Sequence, residues 1–111
     1  MKRDKKHNVI LHIDTSSNTE AVVRLDGEGI SDTYIKKLDR NRAQVVLPMI
    51  EELLTRNHIQ PEDLSMLKVN CGPGSFTGLR VGVSIANSLA SYLQIPINDL
   101  PLGELADPIY S

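Results

Sequence analysis

The sequence predicts a single α/β domain with a five-stranded mixed sheet, helices on its faces and the element order β-β-β-α-β-α-β. Three short apolar segments joined by turn residues come first, which is the pattern of an antiparallel meander. Two longer segments, 41–57 and 78–93, then repeat apolar residues at helical spacing. A glycine-rich turn connects a short apolar run to the second of these segments, which indicates a strand, a tight corner and a helix.

The composition is that of an ordinary globular domain. Of the 111 residues, 41% are hydrophobic and 23% charged, and the formal net charge of -2 argues against strong nucleic-acid binding by this chain alone. No apolar run is long enough for a membrane span or a secretory signal, and the single cysteine, Cys71, forms no internal disulfide. We therefore expect a protein of the reducing cytoplasm. Residues 1–7 are charged and lack apolar side chains, so we expect a disordered tail.

The predicted meander comprises strands at 8–15, 20–26 and 30–37. The first strand is apolar on both faces, which favours a central strand covered on both sides, and His12 is expected to pack within the core. Its polar end, Asp14-Thr15-Ser16, favours a turn and is also a candidate loop for a metal-bound nucleotide.

The two predicted helices differ in their apolar patterns. The first contains Pro48, which predicts a kink, and it is apolar around more than one stripe. The second carries Gly82, Ala86 and Ala90 four residues apart, with further apolar residues on another side. Burial in the core and a subunit interface both explain such a two-faced helix. After it, Pro96-Ile97 is expected to begin the fifth strand, and 99–111 to begin a further helix or a linker.

The glycine-rich turn fits no generic nucleotide motif. Gly78 is followed by Leu79 rather than the Lys of a phosphate-binding P-loop, and Thr77 stands where the dinucleotide fingerprint needs its third glycine. A helix start nevertheless suits an anion, so a structural corner and a phosphate site both remain open. The residues assigned to this glycine loop are Gly72, Pro73, Gly74, Ser75, Phe76, Thr77, Gly78 and Arg80, with Arg80 expected to bond back to the loop.

Three segments, 10–16, 44–54 and above all 72–82, resemble the bacterial TsaB (YeaZ) family. The resemblance runs from about Val9 to Ala106 and implies one lobe of the actin-like, sugar-kinase-like (ribonuclease H-like) fold at 8–98. It also implies that a second lobe would follow where this sequence ends. Asp14, Thr15 and Ser16 then correspond to a vestigial phosphate loop.

The resemblance implies a non-catalytic scaffold in the threonylcarbamoyl-adenosine modification of tRNA. Such a subunit docks through its two helices to the catalytic TsaD-type subunit, is joined by a TsaE-type ATPase and reaches tRNA only through the complex. The first helix lacks the His-x-x-x-His of TsaD, so no metal site is expected. The resemblance places the ATP site between two lobes, so one lobe alone is expected to bind nucleotide weakly or not at all, and no cofactor is predicted. The residues assigned to the partner interface are Val46, Met49, Ile50, Leu53, Gly82, Ile85, Ala86 and Leu89.

Two other hypotheses remain. The chain is an ATP-using phosphotransferase or carbamoyltransferase fragment if Asp14 and Thr15 orient metal and phosphate, with Ser75 and Thr77 in a second phosphate loop. Alternatively, it is a self-associating module whose apolar helix face forms a two-fold homodimer.

Overall fold

The computed structural model describes residues 8–38 and 42–109. Its elements are β1 (Val9–Asp14), β2 (Glu20–Gly27), β3 (Ile30–Lys37), α1 (Arg42–Arg56), β4 (Leu64–Val69) and α2 (Phe76–Leu93), with a short 3-10 turn at Pro61–Asp63. The tail predicted at 1–7 lies outside the described residues. Within the described ranges, neither helix combines the length and apolar character needed to cross a bilayer.

The four strands form one mixed sheet in the order β3-β2-β1-β4. The antiparallel meander of β1, β2 and β3 is confirmed, and β4 pairs with β1 in parallel. In this register Leu11 of β1 lies opposite Leu25 of β2 and Leu67 of β4. Because side chains alternate along a strand, this register places one apolar set on a single face of the sheet.

The predicted fifth strand is wrong for the described residues, where only an isolated parallel bridge joins Leu67 to Ile97. Asn98 and Asp99 adopt left-handed backbone conformations, with φ of 53° and 62°, and turn the chain away from the sheet. The Asn98 carboxamide then accepts a hydrogen bond from the Val69 amide at 2.8 Å and donates one to the Val69 carbonyl at 3.0 Å. One side chain thus satisfies the edge groups that another strand would have used.

The core lies between the helices and one face of the sheet. That face contributes Val9, Leu11 and Ile13 from β1, together with their neighbours on β2 and β4, and all three are essentially inaccessible. The opposite face carries Ile10 and His12, which stay half-exposed because no described helix packs there. The prediction that β1 is covered on both sides therefore holds for only one side within the described chain.

Residues 99–109 form turns and irregular chain, so they contain no helix, and the alternative that this segment is a linker stays a prediction. Gly103, with φ of 95°, and the neighbouring prolines oppose helical geometry. The segment returns along α2, where the Asn87 side chain donates to the Ala106 carbonyl and accepts from the Ala106 amide, both at 2.9 Å. At Ile109 it lies beside the glycine loop, where the Ile109 amide donates to the Cys71 carbonyl at 2.6 Å.

Candidate functional site

The end of β1 and the glycine loop pack directly against each other. The Ser75 amide donates to the Ser16 carbonyl at 2.8 Å. A Cβ at Gly74 would lie 2.7 Å from the Ser16 Cβ and 2.8 Å from the Ser16 carbonyl oxygen, which leaves no room for a side chain. The glycine at position 74 is thus explained by this close backbone approach.

Thr15 lies beneath α2 and is completely inaccessible to solvent. Its hydroxyl donates to the Gly78 carbonyl at 2.5 Å, joining the first strand to the first turn of the second helix. A Cβ at Gly82 would overlap the Thr15 hydroxyl oxygen. The small residue at Gly82 therefore lets α2 approach β1 of the same chain.

The Asp14 carboxylate is engaged within its own turn. It accepts from the Ser16 amide at 2.9 Å, from the Ser16 hydroxyl at 2.6 Å and from the Asn70 side-chain amide at 3.2 Å. Partial burial by itself raises the pKa of Asp14, but the hydrogen bonds from Ser16 and Asn70 outweigh it and hold the pKa below its usual value. The ionised carboxylate is thus favoured by its own turn together with Asn70, which follows β4.

The start of α2 is capped by its own loop. The Ser75 hydroxyl accepts from the Gly78 amide at 3.2 Å, as an N-cap residue does. Gly72 has φ of 117°, and the place of its missing Cβ is taken by the Ile109 carbonyl. Three amides suited to a phosphate, those of Ser16, Ser75 and Gly78, are thus used by the fold.

The outer side of the glycine loop presents an aromatic–cation pair. Phe76 is 54% exposed, and the Arg80 guanidinium lies over its ring at 5.4 Å from the centroid. Arg80 therefore contacts the loop through the Phe76 ring. Pro73 and Thr77 are also exposed on this side.

Most of the residues assigned to the partner interface are buried in the chain's own core and leave little surface for a partner. Six of the eight are inaccessible and only two are half-buried; the buried ones are Val46, Met49, Ile50, Leu53, Gly82 and Ala86, and the half-buried ones are Ile85 and Leu89. The reason is that the strongest apolar stripe of each helix faces the sheet, where it buries the most surface.

The helices leave an open apolar groove between α1 and α2, which we call the interhelix groove and which is lined in part by Ile50 and Leu89 of the assigned set. It encloses about 360 Å³ and has an apolar lining in which Glu51 is the charged residue. Its outer wall includes Leu47, which is 50% exposed, and Pro48 from α1, facing Leu89 and Leu93 from α2. The sequence contains one indication of this groove, since Leu47 is apolar although it lies outside the apolar stripe of α1 that faces the sheet.

Comparison with known proteins supplies the family. The family model for TsaD, tRNA N6-adenosine threonylcarbamoyltransferase, matches residues 34–101. The tRNA threonylcarbamoyladenosine biosynthesis protein TsaB of Bacillus subtilis (strain 168) is 40% identical over 89 residues, covering 80% of this chain and 39% of the relative. TsaB of Escherichia coli (strain K12) is 38% identical, covering 79% and 38%. The chain thus spans about two fifths of the length of these relatives.

The solved structure of YeaZ from Pseudomonas aeruginosa is similar to this chain. It superposes with a TM-score of 0.77 at 31% sequence identity, over 81% of this chain and 42% of that one. The four-stranded sheet and two helices described above therefore form a YeaZ-like α/β fold.

Proposed function

Because this chain belongs to the TsaB (YeaZ) family, we propose that it is a non-catalytic subunit in the threonylcarbamoyladenosine modification of tRNA. In this proposal it docks a TsaD-type catalytic subunit through the interhelix groove. A TsaE-type ATPase joins the assembly, and tRNA is reached only through the complex. We further propose that 8–98 is one lobe of an actin-like pair.

The observation that carries the proposal is the open apolar groove between α1 and α2. Leu47 is a large aliphatic residue that is half exposed beside Pro48, in a hollow whose floor is formed by core residues. Complete burial of such a side chain lowers the free energy by roughly 1.5–3 kcal/mol. A partner that buries the exposed half of Leu47 should therefore gain about half of that in binding free energy. Leu93 and Leu89 extend the same surface along α2, which suits a helical partner lying in the groove.

The non-catalytic part of the proposal is supported by the corner between β1 and α2. The Asp14 carboxylate and the Ser75 amide both have partners within the chain. A phosphate or a metal-bound nucleotide would need those groups turned outward, at the cost of the bonds that connect β1 to α2. The corner therefore serves best as a rigid connection that sets the direction of α2.

The test is calorimetric titration of this chain with a purified TsaD-type subunit, comparing two variants. Leu47→Asp places a charge in the groove and is expected to weaken binding at least about tenfold, a loss of about 1.4 kcal/mol. Ile35→Asp is the matched control, because Ile35 is similarly exposed at 55% but lies on β3 on the opposite face of the sheet. Equal affinity of the Leu47→Asp variant and the unmodified chain would remove the groove as the docking surface.

The groove also suits a second copy of the chain. A two-fold dimer through the same groove is expected when no TsaD-type subunit is present. Light scattering measures it: the unmodified chain should run as a dimer, Leu47→Asp as a monomer and Ile35→Asp as a dimer. A dimer that survives Leu47→Asp would place self-association on another surface.

An ATP-using transferase is the competing function, and titration with magnesium and ATP separates it from docking. The internal bonding of Asp14 and Ser75 predicts no measurable heat of binding for this chain alone. Tight binding of ATP, abolished by Asp14→Asn, would favour the transferase.

A further inference from the structure

The face of the sheet on which no described helix packs contains a hollow of about 390 Å³ lined mainly by polar and charged side chains. We call it the His12 hollow; its lining residues include His12 and Asp14 from β1, Arg24 from β2, Lys68 from β4, and Asn70 directly after β4. The strand register places Arg24 and Lys68 directly on either side of His12. One imidazole and two cations thus stand side by side across three strands.

The His12 imidazole has an unmet hydrogen-bonding group in this hollow. Its Nε2 atom is buried and has no hydrogen-bond partner among the described residues, although the side chain as a whole remains 31% exposed. The nearest carboxylate oxygen, Oδ2 of Asp26, is 3.9 Å away, which is beyond hydrogen-bond distance. Because leaving a buried polar atom unpaired costs stability, an acceptor placed here would be favoured.

The carboxylates around the hollow already have charged or hydrogen-bonding partners. Asp26 lies 3.4 Å from Arg24, and Asp99 lies 3.7 Å from Lys68. Both are exposed ion pairs, which contribute little and rearrange readily when another anion arrives. Asp14 is bonded to its own turn by Ser16.

We propose that the His12 hollow binds a carboxylate group, with one oxygen accepting from His12 Nε2 and the other facing Arg24 and Lys68. A planar group with two oxygens meets these partners together, and its charge is opposite to that of the two flanking cations. The hollow, at about 390 Å³, has room for a small free acid, to which we assign the carboxylate; a protein side chain is the alternative that the experiment separates. The site is independent of the interhelix groove, which lies on the helical face of the sheet.

The pKa of His12 supplies the readout. Burial lowers it from the ordinary value, the charge of Arg24 lowers it further, that of Asp26 raises it, and that of Lys68 lowers it. A bound carboxylate adds an opposite charge within hydrogen-bond distance of the ring. The pKa of His12 is then expected to rise by about one pH unit when the site is filled.

The experiment follows the ring proton of His12 by NMR through a pH titration, in acetate and in chloride at equal ionic strength. A second pair of probes mimics a protein side chain: acetyl-glutamate amide carries the carboxylate, and acetyl-glutamine amide is its uncharged match. The exposed His58 serves as an internal control for effects of the medium. The double variant Arg24→Gln/Lys68→Gln changes two partly exposed side chains and keeps His12.

A rise in the pKa of His12 with acetate, absent from the double variant, supports the site. A rise with acetate alone assigns it to small free acids, whereas a rise with acetyl-glutamate amide as well admits a protein side chain. The proposal is overturned if neither carboxylate moves the pKa of His12. It is also overturned if acetyl-glutamine amide acts equally, or if the double variant responds like the unmodified chain.

Discussion

Replacing Gly82 with alanine places a methyl group where the hydroxyl of buried Thr15 already lies. The methyl would press on the Thr15 hydroxyl, which donates to the Gly78 carbonyl and joins β1 to α2. Three effects then compete. Alanine favours a helix interior over glycine by about 1 kcal/mol, overpacking costs about 1–3 kcal/mol, and breaking a buried hydrogen bond costs about 1–3 kcal/mol.

The opposing effects outweigh the gain in helix propensity, so Gly82→Ala is expected to lower the free energy of unfolding by about 3 kcal/mol. Urea unfolding followed by circular dichroism measures this difference. For a slope of about 2 kcal/mol per M, the midpoint falls by about 1.5 M. A loss of this size is a large fraction of the stability of a typical domain.

The control separates crowding at Thr15 from helix propensity. In a Thr15→Ala background the hydroxyl is gone, so adding Gly82→Ala should be neutral or should stabilise the protein by up to about 1 kcal/mol. Ser88→Ala, at an exposed position of α2, should change stability by only a few tenths of a kcal/mol. An unchanged or higher midpoint for Gly82→Ala alone would refute the close seating of α2 on Thr15.

Two further predictions concern the sheet edge and the turn after β1. Asn98→Ala removes two hydrogen bonds to Val69 and one to the Cys71 sulfur, so urea unfolding should show a free energy of unfolding lower by about 3 kcal/mol. Asn98→Asp should be intermediate, because its side chain can only accept a hydrogen bond. Equal stability of Asn98→Ala and the unmodified chain would contradict the role of Asn98 at the sheet edge. Although burial raises the pKa of Asp14, the hydrogen bonds from Ser16 help to hold it below its ordinary value. The stability it contributes is therefore present above pH about 4 and is lost as the pH falls through the lower folded-state value. Unfolding midpoints at about pH 6 and about pH 3 should differ less in Asp14→Asn than in the unmodified chain, and an equal difference would count against this contribution.

Local sequence patterns predicted the meander, both helices, β4 and the corner at the glycine loop. The alternation along β1 and the helical spacing in α1 and α2 depend on neighbours within a few residues, so they are visible without a structure. The glycine loop carries the same kind of information, because few other residues fit such a tight path. The motif at 72–82 was also specific enough to indicate the family that the comparisons confirm.

The tertiary structure decided which apolar residues are buried and which remain exposed. Periodicity shows that α2 has two apolar sides, but the side bearing Gly82 faces the sheet because Thr15, far away in sequence, lies beneath it. The predicted fifth strand does not form among the described residues because the Asn98 side chain bonds the Val69 amide and carbonyl that such a strand would have paired. Leu47 is half exposed because its neighbours Val46 and Met49, and not Leu47, are the residues of α1 that point into the core. Each of these outcomes depends on contacts between residues distant in sequence, whose relative positions exist only after the chain has folded.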